Sequence, residues 1–198
     1  MGISVVTGAA LEPISLAEAK AHLRVTSSDE DGLIAGYIFA AREYVESQTH
    51  LKLITQTLDY TIDDDWPYVC ARGYERTRIE FPVKPVASIT SITYVDSGGA
   101  TQTLASNQYV FRNDGPVHFV EPVYGVTWPV VRCQTAAITV RMVVGGTLSD
   151  VPNPLMQAMR MLIAHSSENR EAMATGIFAE VPLGVEAYLS PYRYTRFS

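Results

Sequence analysis

The hydrophobic and polar positions follow a helical period at both ends of the chain and a strand period in the middle. Ser15 and Glu18 have the spacing of a capping box and predict a short helix that ends near Leu23. A second helix is predicted over about residues 30–49, where apolar residues recur every three or four positions. Its apolar stripe consists of Leu33, Ile34, Tyr37, Ile38, Ala41, Tyr44 and Val45. The opposite side carries Arg42, Glu43, Glu46 and Gln48. We favour a core role for the stripe, with a subunit contact as the alternative.

From Leu53 the period becomes two, which is typical of strands. The predicted strands cover residues 55–62, 78–81, 88–95, 101–104, 108–112 and 136–144. Gly98 and Gly99 supply the glycines that a tight hairpin needs, and residues 66–77 are predicted to form a loop. Short strands at this spacing favour a small antiparallel sandwich or barrel.

Helical spacing returns after Gly145 and Gly146. A helix is predicted over about residues 154–169, followed by a loop at 171–182 and a short helix at 185–189. The predicted fold class is therefore α+β: a small helical bundle formed by the N- and C-terminal helices, with an inserted antiparallel β domain. The corresponding segments are residues 1–52 and 149–190 for the bundle, 53–148 for the β domain, and 191–198 for a C-terminal tail.

Composition and charge exclude several classes of function. No apolar run approaches the roughly 18–20 residues that span a bilayer, so no membrane association is expected. The two cysteines, Cys70 and Cys133, are too few for a disulfide framework. The net charge is −6, and the acidic excess lies in the first third of the chain. With three lysines in the whole chain, tight DNA binding is not expected, because phosphate contacts need clustered cations.

No motif for catalysis or for a cofactor is present. The four histidines (His22, His50, His118 and His165) have no partner at metal-ligand spacing, and we interpret them as structural or surface residues. Asp63, Asp64 and Asp65 lack the alternating ligands of a calcium loop and are interpreted as a solvated turn. A hydrolase that uses these aspartates and a distant histidine remains a rival hypothesis. We expect no enzymatic activity, no metal and no cofactor.

The C-terminal end combines aromatic and arginine residues, the types that dominate protein interfaces. We predict a docking surface for another protein there, formed by Tyr188, Pro191, Tyr192, Arg193, Tyr194, Arg196 and Phe197. Base stacking on a nucleic acid and a disordered tail are the alternatives. Acidic residues at the start and along the side of the second helix are candidates for a channel lining or a subunit contact: Asp29, Glu30, Asp31, Glu43 and Glu46.

Several segments, in order, resemble tailed-phage head–tail connector (adaptor) proteins of the gp6-like type, including the adaptors of phage-derived gene transfer agents. The opening run from Pro13 to Val25 is similar, as are the helix segment 40–46 and the strand segment 85–96. Further matches are Ile138 to Arg141, Glu168 to Glu171 and Gly184 to Arg193. Together these segments extend over most of the chain.

The resemblance implies a structural ring, usually dodecameric, in the neck of a phage or gene transfer agent particle. Its partners would be the portal protein, a stopper or tail-completion protein, and further copies of the chain. Double-stranded DNA would pass through the channel as cargo. The family's use of its C-terminal segment implies portal docking by the tail of this chain. A DNA-end-binding or packaging accessory protein is the alternative function.

Overall fold

The computed structural model describes residues 1–63, 66, 68–71, 74–169 and 183–193; for 68–71 and 74–77 it describes the backbone alone. The chain divides into two compact units. One, the β unit, comprises Met1–Gly8 and Thr55–Gly145. The other, the helical unit, comprises Ala9–Ile54 and the described part of Gly146–Ser198. The predicted α+β class is confirmed by this combination of helices and antiparallel sheets.

Among its described residues the helical unit has four α-helices: α1 (Leu16–Leu23), α2 (Asp31–Thr49), α3 (Asn153–Glu168) and α4 (Leu183–Leu189). Helix α2 packs on α3, and α3 packs on α4. Their shared core is apolar and contains Ile34, Ile38, Val45, Leu155, Met159, Ile163, Val185 and Leu189. Leu155, Met159 and Ile163 lie at helical spacing and form the buried face of α3.

Local capping defines both ends of α1 and the C-terminal end of α2. The predicted capping box is present: Glu18 N donates to Ser15 Oγ at 3.2 Å, and Ser15 N donates to Glu18 Oε2 at 2.9 Å. Helix α1 ends at Arg24 and α2 at His50, both in the left-handed region. Helix α2 begins after Glu30 without a side-chain cap, and Asp29 instead bonds with Ser27.

The described part of the β unit contains ten strands. A five-stranded sheet has the order β1-β2-β10-β6-β7 and a three-stranded sheet the order β5-β9-β8, while β3 and β4 form a hairpin. The bounds are β1 (Gly2–Thr7), β2 (Gln56–Ile62), β3 (Tyr68–Ala71), β4 (Tyr74–Thr77), β5 (Ile79–Glu80), β6 (Val86–Val95), β7 (Thr101–Thr103), β8 (Tyr109–Arg112), β9 (Phe119–Pro122) and β10 (Ile138–Val144). Every pairing between these strands is antiparallel.

The two larger sheets contribute to one core. Leu58, Ile62 and Val140 of the five-stranded sheet cluster with Ile79 and Val120 of the three-stranded sheet, and all five side chains are buried. The described strands therefore form open sheets that share a core, as in a sandwich, and the predicted barrel alternative does not apply. Trp66 extends this core: its ring stacks on Trp128 with centroids 4.4 Å apart.

Three features differ from the sequence prediction. Gly2–Thr7, assigned to the helical part, form a strand because they pair with β2, whose residues lie more than fifty positions further along the chain. The predicted loop at 66–77 contains the β3–β4 hairpin. Strand β9, which lies between the predicted strands at 108–112 and 136–144, is not among the predicted strands. Local period cannot reveal such pairing, because each strand is stabilised by residues distant in sequence.

Candidate assembly interfaces

The C-terminal end of the helical unit is anchored by apolar contacts. Val185 and Leu189 of α4 are fully buried in the helical core. A short 3₁₀ turn over Ser190–Tyr192 follows, with Pro191 in its first turn. The ring of Tyr192 packs partly buried against the same core. The chain is therefore held on the helical unit as far as Arg193.

Polar contacts hold Arg193 as well. Its Nη2 lies 2.6 Å from Glu186 Oε2 and 3.0 Å from Gln48 Oε1, which belongs to α2. Burial raises the pKa of Tyr44, and the nearby Glu186 carboxylate raises it further. Arg193 thus connects the last turn to the side of α2 while remaining largely accessible.

The predicted docking residues fall into three groups. Tyr188, Pro191 and Arg193 are exposed. Tyr192 is half-buried against the core, so it positions the turn as well as offering an edge to a partner. Tyr194, Arg196 and Phe197 lie outside the described residues. The structure brings the first four together at the end of α4.

The predicted acidic residues are dispersed over the start and side of α2. Asp29 is exposed and accepts from Ser27 Oγ at 2.6 Å. Glu30 is half-buried at the residue before the helix. Asp31 pairs with Lys20 Nζ at 2.5 Å, which ties α2 to α1. Glu43 is exposed and pairs with Arg42 Nη1 at 2.9 Å. Asp29 and Glu43 are accessible to DNA or to another subunit.

Glu46 was wrongly predicted as a surface acid. Its side chain is buried, with a residue exposure of 3%. Oε2 lies 2.7 Å from Lys52 Nζ and 3.4 Å from Arg42 Nη1, and Oε1 accepts from Leu53 N at 3.0 Å. A buried carboxylate in contact with two cations holds the fold together, so it cannot line a channel.

Arg42, predicted on the side of the helix opposite the apolar stripe, is the central cation of this cluster. It is 4% exposed and contacts Glu12, Glu43 and Glu46, with Nε 2.8 Å from Glu12 Oε2. Burial opposes its charge, but the bond with Glu12 and the surrounding carboxylates outweigh burial and raise the pKa of Arg42. Arg42 and Glu46 are four residues apart and are therefore neighbours on the helix surface, whereas the contribution of Glu12 cannot be read from helical period.

The aspartate turn has a structural role at its first residue. Asp63 accepts from the N-terminal ammonium of Met1 at 2.5 Å and from Ala136 N at 2.8 Å, and the first of these bonds lowers the pKa of Asp63. Asp64 and Asp65 lie outside the described residues. Within the described ranges no three metal-ligating side chains cluster, and no helix has both the length and the hydropathy of a membrane span.

Comparisons with known proteins give a family and a fold. Residues 13–94 match the sequence model of the family described as "Phage gp6-like head-tail connector protein". This range includes α1, α2, the strands β2 to β5 and most of β6. No match was found among curated proteins.

Three solved structures share the fold over the full length. A chain of the neck of an empty gene transfer agent particle, computed with C6 symmetry, is 22% identical with a TM-score of 0.80. A chain of a native particle's virion is 22% identical with a TM-score of 0.76, and one of a native neck computed with C12 symmetry is 23% identical with a TM-score of 0.74. Each comparison covers 100% of this chain and 98% of the other. The resemblance to phage head–tail connector proteins that the sequence predicts is therefore confirmed.

Proposed function

We propose that this chain is a structural head–tail connector, located in the neck of a tailed phage or gene transfer agent particle. Copies of it form a ring between the portal and the stopper or tail, and DNA passes through the central channel. The observation that carries this proposal is the family match over residues 13–94. Fold similarity to chains of particle necks computed with C6 and C12 symmetry supports the ring.

The described surface is suited to assembly. The end of α4 presents Tyr188, Pro191 and Arg193 together, a combination of aromatic and arginine residues suited to the centre of an interface. The accessible acids Asp29 and Glu43 would repel DNA phosphates and leave DNA mobile if they face the channel. The chain's role is structural, without catalysis.

The first experiment removes the chain from cells that produce particles. We expect DNA-filled heads without tails, together with free tails, and normal particles when the wild-type chain is restored. Electron microscopy of the purified particles measures this outcome. Intact tailed particles in the absence of the chain would refute the connector role.

The second experiment tests the docking surface with a double variant, Tyr188→Ala with Arg193→Ala. Both side chains are accessible, so the fold is expected to survive, as a thermal unfolding curve would verify. The matched control is Tyr124→Ala with Arg112→Ala, an exposed tyrosine and arginine of the β unit. We expect the first variant alone to lose tailed particles. Equal assembly by both variants would show that portal docking lies elsewhere.

A DNA-end-binding accessory protein makes a different prediction. It requires salt-dependent affinity for DNA fragments, because binding would release counterions from phosphates. Filter binding of purified chain to linear DNA at 50 and 200 mM salt, chosen to span roughly the range over which phosphate contacts weaken, measures this affinity. We expect no retention at either salt concentration, and strong retention at the lower one would favour the accessory role.

A further inference from the structure

We infer that the outward face of α2 packs against a second copy of this chain. The inference rests on the proposed ring and assigns one of its lateral contact surfaces. We define the outward face by the exposed residues of the first three turns of the helix: Gly32, Leu33, Ala35, Gly36, Phe39 and Ala40.

The composition of the helix is the first observation. Residues 32–41 contain no charged side chain, and the Tyr37 hydroxyl is their sole polar side-chain group. A helix that is apolar all round is found buried on all sides. Here one side is buried by the helical core through Ile34, Ile38 and Ala41, whereas the outward face is exposed. The described fold therefore buries one side of this apolar segment of α2 and leaves its outward face uncovered.

Large apolar side chains are also exposed on this face. Phe39 is 53% exposed and Leu33 is 44% exposed. Arg42 lies under the Phe39 ring, 5.0 Å from its centroid, and holds it in place on the surface. A fixed aromatic ring beside small residues resembles the anchor of a protein interface.

The glycines supply an independent observation. A Cβ atom added at Gly32 or Gly36 would meet no other atom within 4 Å. Glycine weakens a helix, so a glycine in the interior of α2 needs a compensating reason. Nothing among the described residues requires it, because the space beside Gly36 is open. Gly32, Gly36 and Ala40 are four residues apart and form a smooth strip that allows another chain to approach the helix backbone closely.

The chemistry of this face selects the occupant. DNA is disfavoured because the face is apolar and is bordered by the accessible acids Asp29 and Glu43. In a ring, each copy contacts its neighbours through two different surfaces, so an apolar surface on one copy requires an apolar counterpart on the next. The helical unit carries such side chains on other segments: Leu11 is 61% exposed and Leu183 is 89% exposed. A second copy therefore supplies the groups that this face can bury.

Two substitutions test the inference, each with a matched control. Gly36→Leu fills the strip, and Gly8→Leu places the same side chain at another glycine beside which no atom lies within 4 Å. Phe39→Glu charges the face, and Tyr124→Glu makes a comparable change at a fully exposed aromatic side chain of the β unit. Gly36→Ala is a third variant, for which stability and assembly should change in opposite directions. It is expected to raise the thermal midpoint of the chain while weakening assembly.

Assembly is measured by native mass spectrometry of the purified chain over a concentration series and by counting copies in purified particles. We expect Gly36→Leu and Phe39→Glu to reduce ring-sized species and copies per particle at least tenfold, with thermal midpoints unchanged or raised. Both controls should assemble as the wild type does. Normal assembly by both α2 variants overturns this inference and leaves the proposed function intact. Absence of self-association by the wild type in both measurements overturns the inference and the proposed ring together.

Discussion

Replacing Glu46 with glutamine should destabilise the helical unit far more than the same replacement at Glu43. Both residues lie on α2, and both contact Nη1 of Arg42. They differ in burial, since the side chain of Glu43 is 51% exposed and that of Glu46 is 1% exposed. The pair of variants therefore isolates the effect of burial on one ion-pair partner.

The expected magnitude follows from the contacts of Glu46. Glutamine keeps an oxygen for the Leu53 amide but places an NH₂ group where Oε2 faces Lys52 Nζ at 2.7 Å and Arg42 Nη1 at 3.4 Å. A hydrogen bond to a charged group contributes roughly 1.5–3 kcal/mol, and the longer contact counts at the lower end. Loss of both, with two cations left near each other, should cost about 3–5 kcal/mol. Glu43→Gln should cost less than about 1 kcal/mol because that pair is exposed to solvent.

Urea unfolding followed by circular dichroism at 222 nm measures the free energy of unfolding through the helical signal. At roughly 2–4 °C per kcal/mol for a chain of this size, Glu46→Gln should also lower the thermal midpoint by about 6–20 °C. Arg42→Met combined with Glu46→Gln should cost less than the sum of the two single variants, because the partners act on each other. Equal, small effects of Glu46→Gln and Glu43→Gln would refute the view that a buried charge cluster stabilises α2.

Three further predictions concern local features. Protonation of His118 in the folded state is opposed by burial and by Lys84, which lower the pKa of His118. Folding therefore favours the neutral form of His118. The stability that this form contributes is complete above the ordinary histidine pKa of about 6.5, and it is lost as the pH falls through the window from 7 to 5. Chemical denaturation across this window should show the loss, and His118→Gln should flatten it. The lowered carboxyl pKa values of Asp96 and Asp150 act below about pH 4, outside the window. Ser15→Ala removes the α1 cap and should cost about 1 kcal/mol in urea unfolding, against less than about 0.5 for Ser27→Ala in the following loop. Trp66→Phe removes the bond from Nε1 to Pro129 O, 2.7 Å long, and reduces the stack on Trp128, so it should cost about 1–2 kcal/mol; an unchanged midpoint would contradict this account.

Sequence pattern was sufficient for elements whose cause is local. The capping box at Ser15 and the apolar faces of α2 and α3 depend on residues within a few turns, so their spacing alone predicts them. The strands from β5 to β8 and β10 were predicted to within two residues at each end from the residue types along each segment, although partners such as β2 for β10 lie far along the chain. The first strand was missed because its pairing partner, β2, lies far along the chain.

The charge cluster around Arg42 shows a second limit of prediction from sequence pattern. Helical period places Arg42, Glu43 and Glu46 on the polar side of α2, and charged residues are ordinarily exposed. Glu12, before α1, pairs with Arg42, and Lys52, after α2, pairs with Glu46. These partners come from the two flanking segments, so the helical period of α2 does not contain the information.

The outward face of α2 shows the opposite case, in which apolar residues are exposed. Leu33 was assigned to the core because it follows the helical period, yet it is exposed, and Phe39 beside it is exposed as well. An apolar period reports that a residue is buried somewhere, without saying whether the covering atoms belong to the same chain. Two charged residues of α2, Arg42 and Glu46, are buried within the chain, while Leu33 and Phe39 face outward. This inversion fits a helix that is stabilised from inside by paired buried ions and covered from outside by a neighbouring copy. Gly36→Ala separates the stability of α2 from its contact with a second copy. The added methyl group should stabilise the helix, but it should weaken assembly because it fills the space that the missing side chain leaves for a second chain.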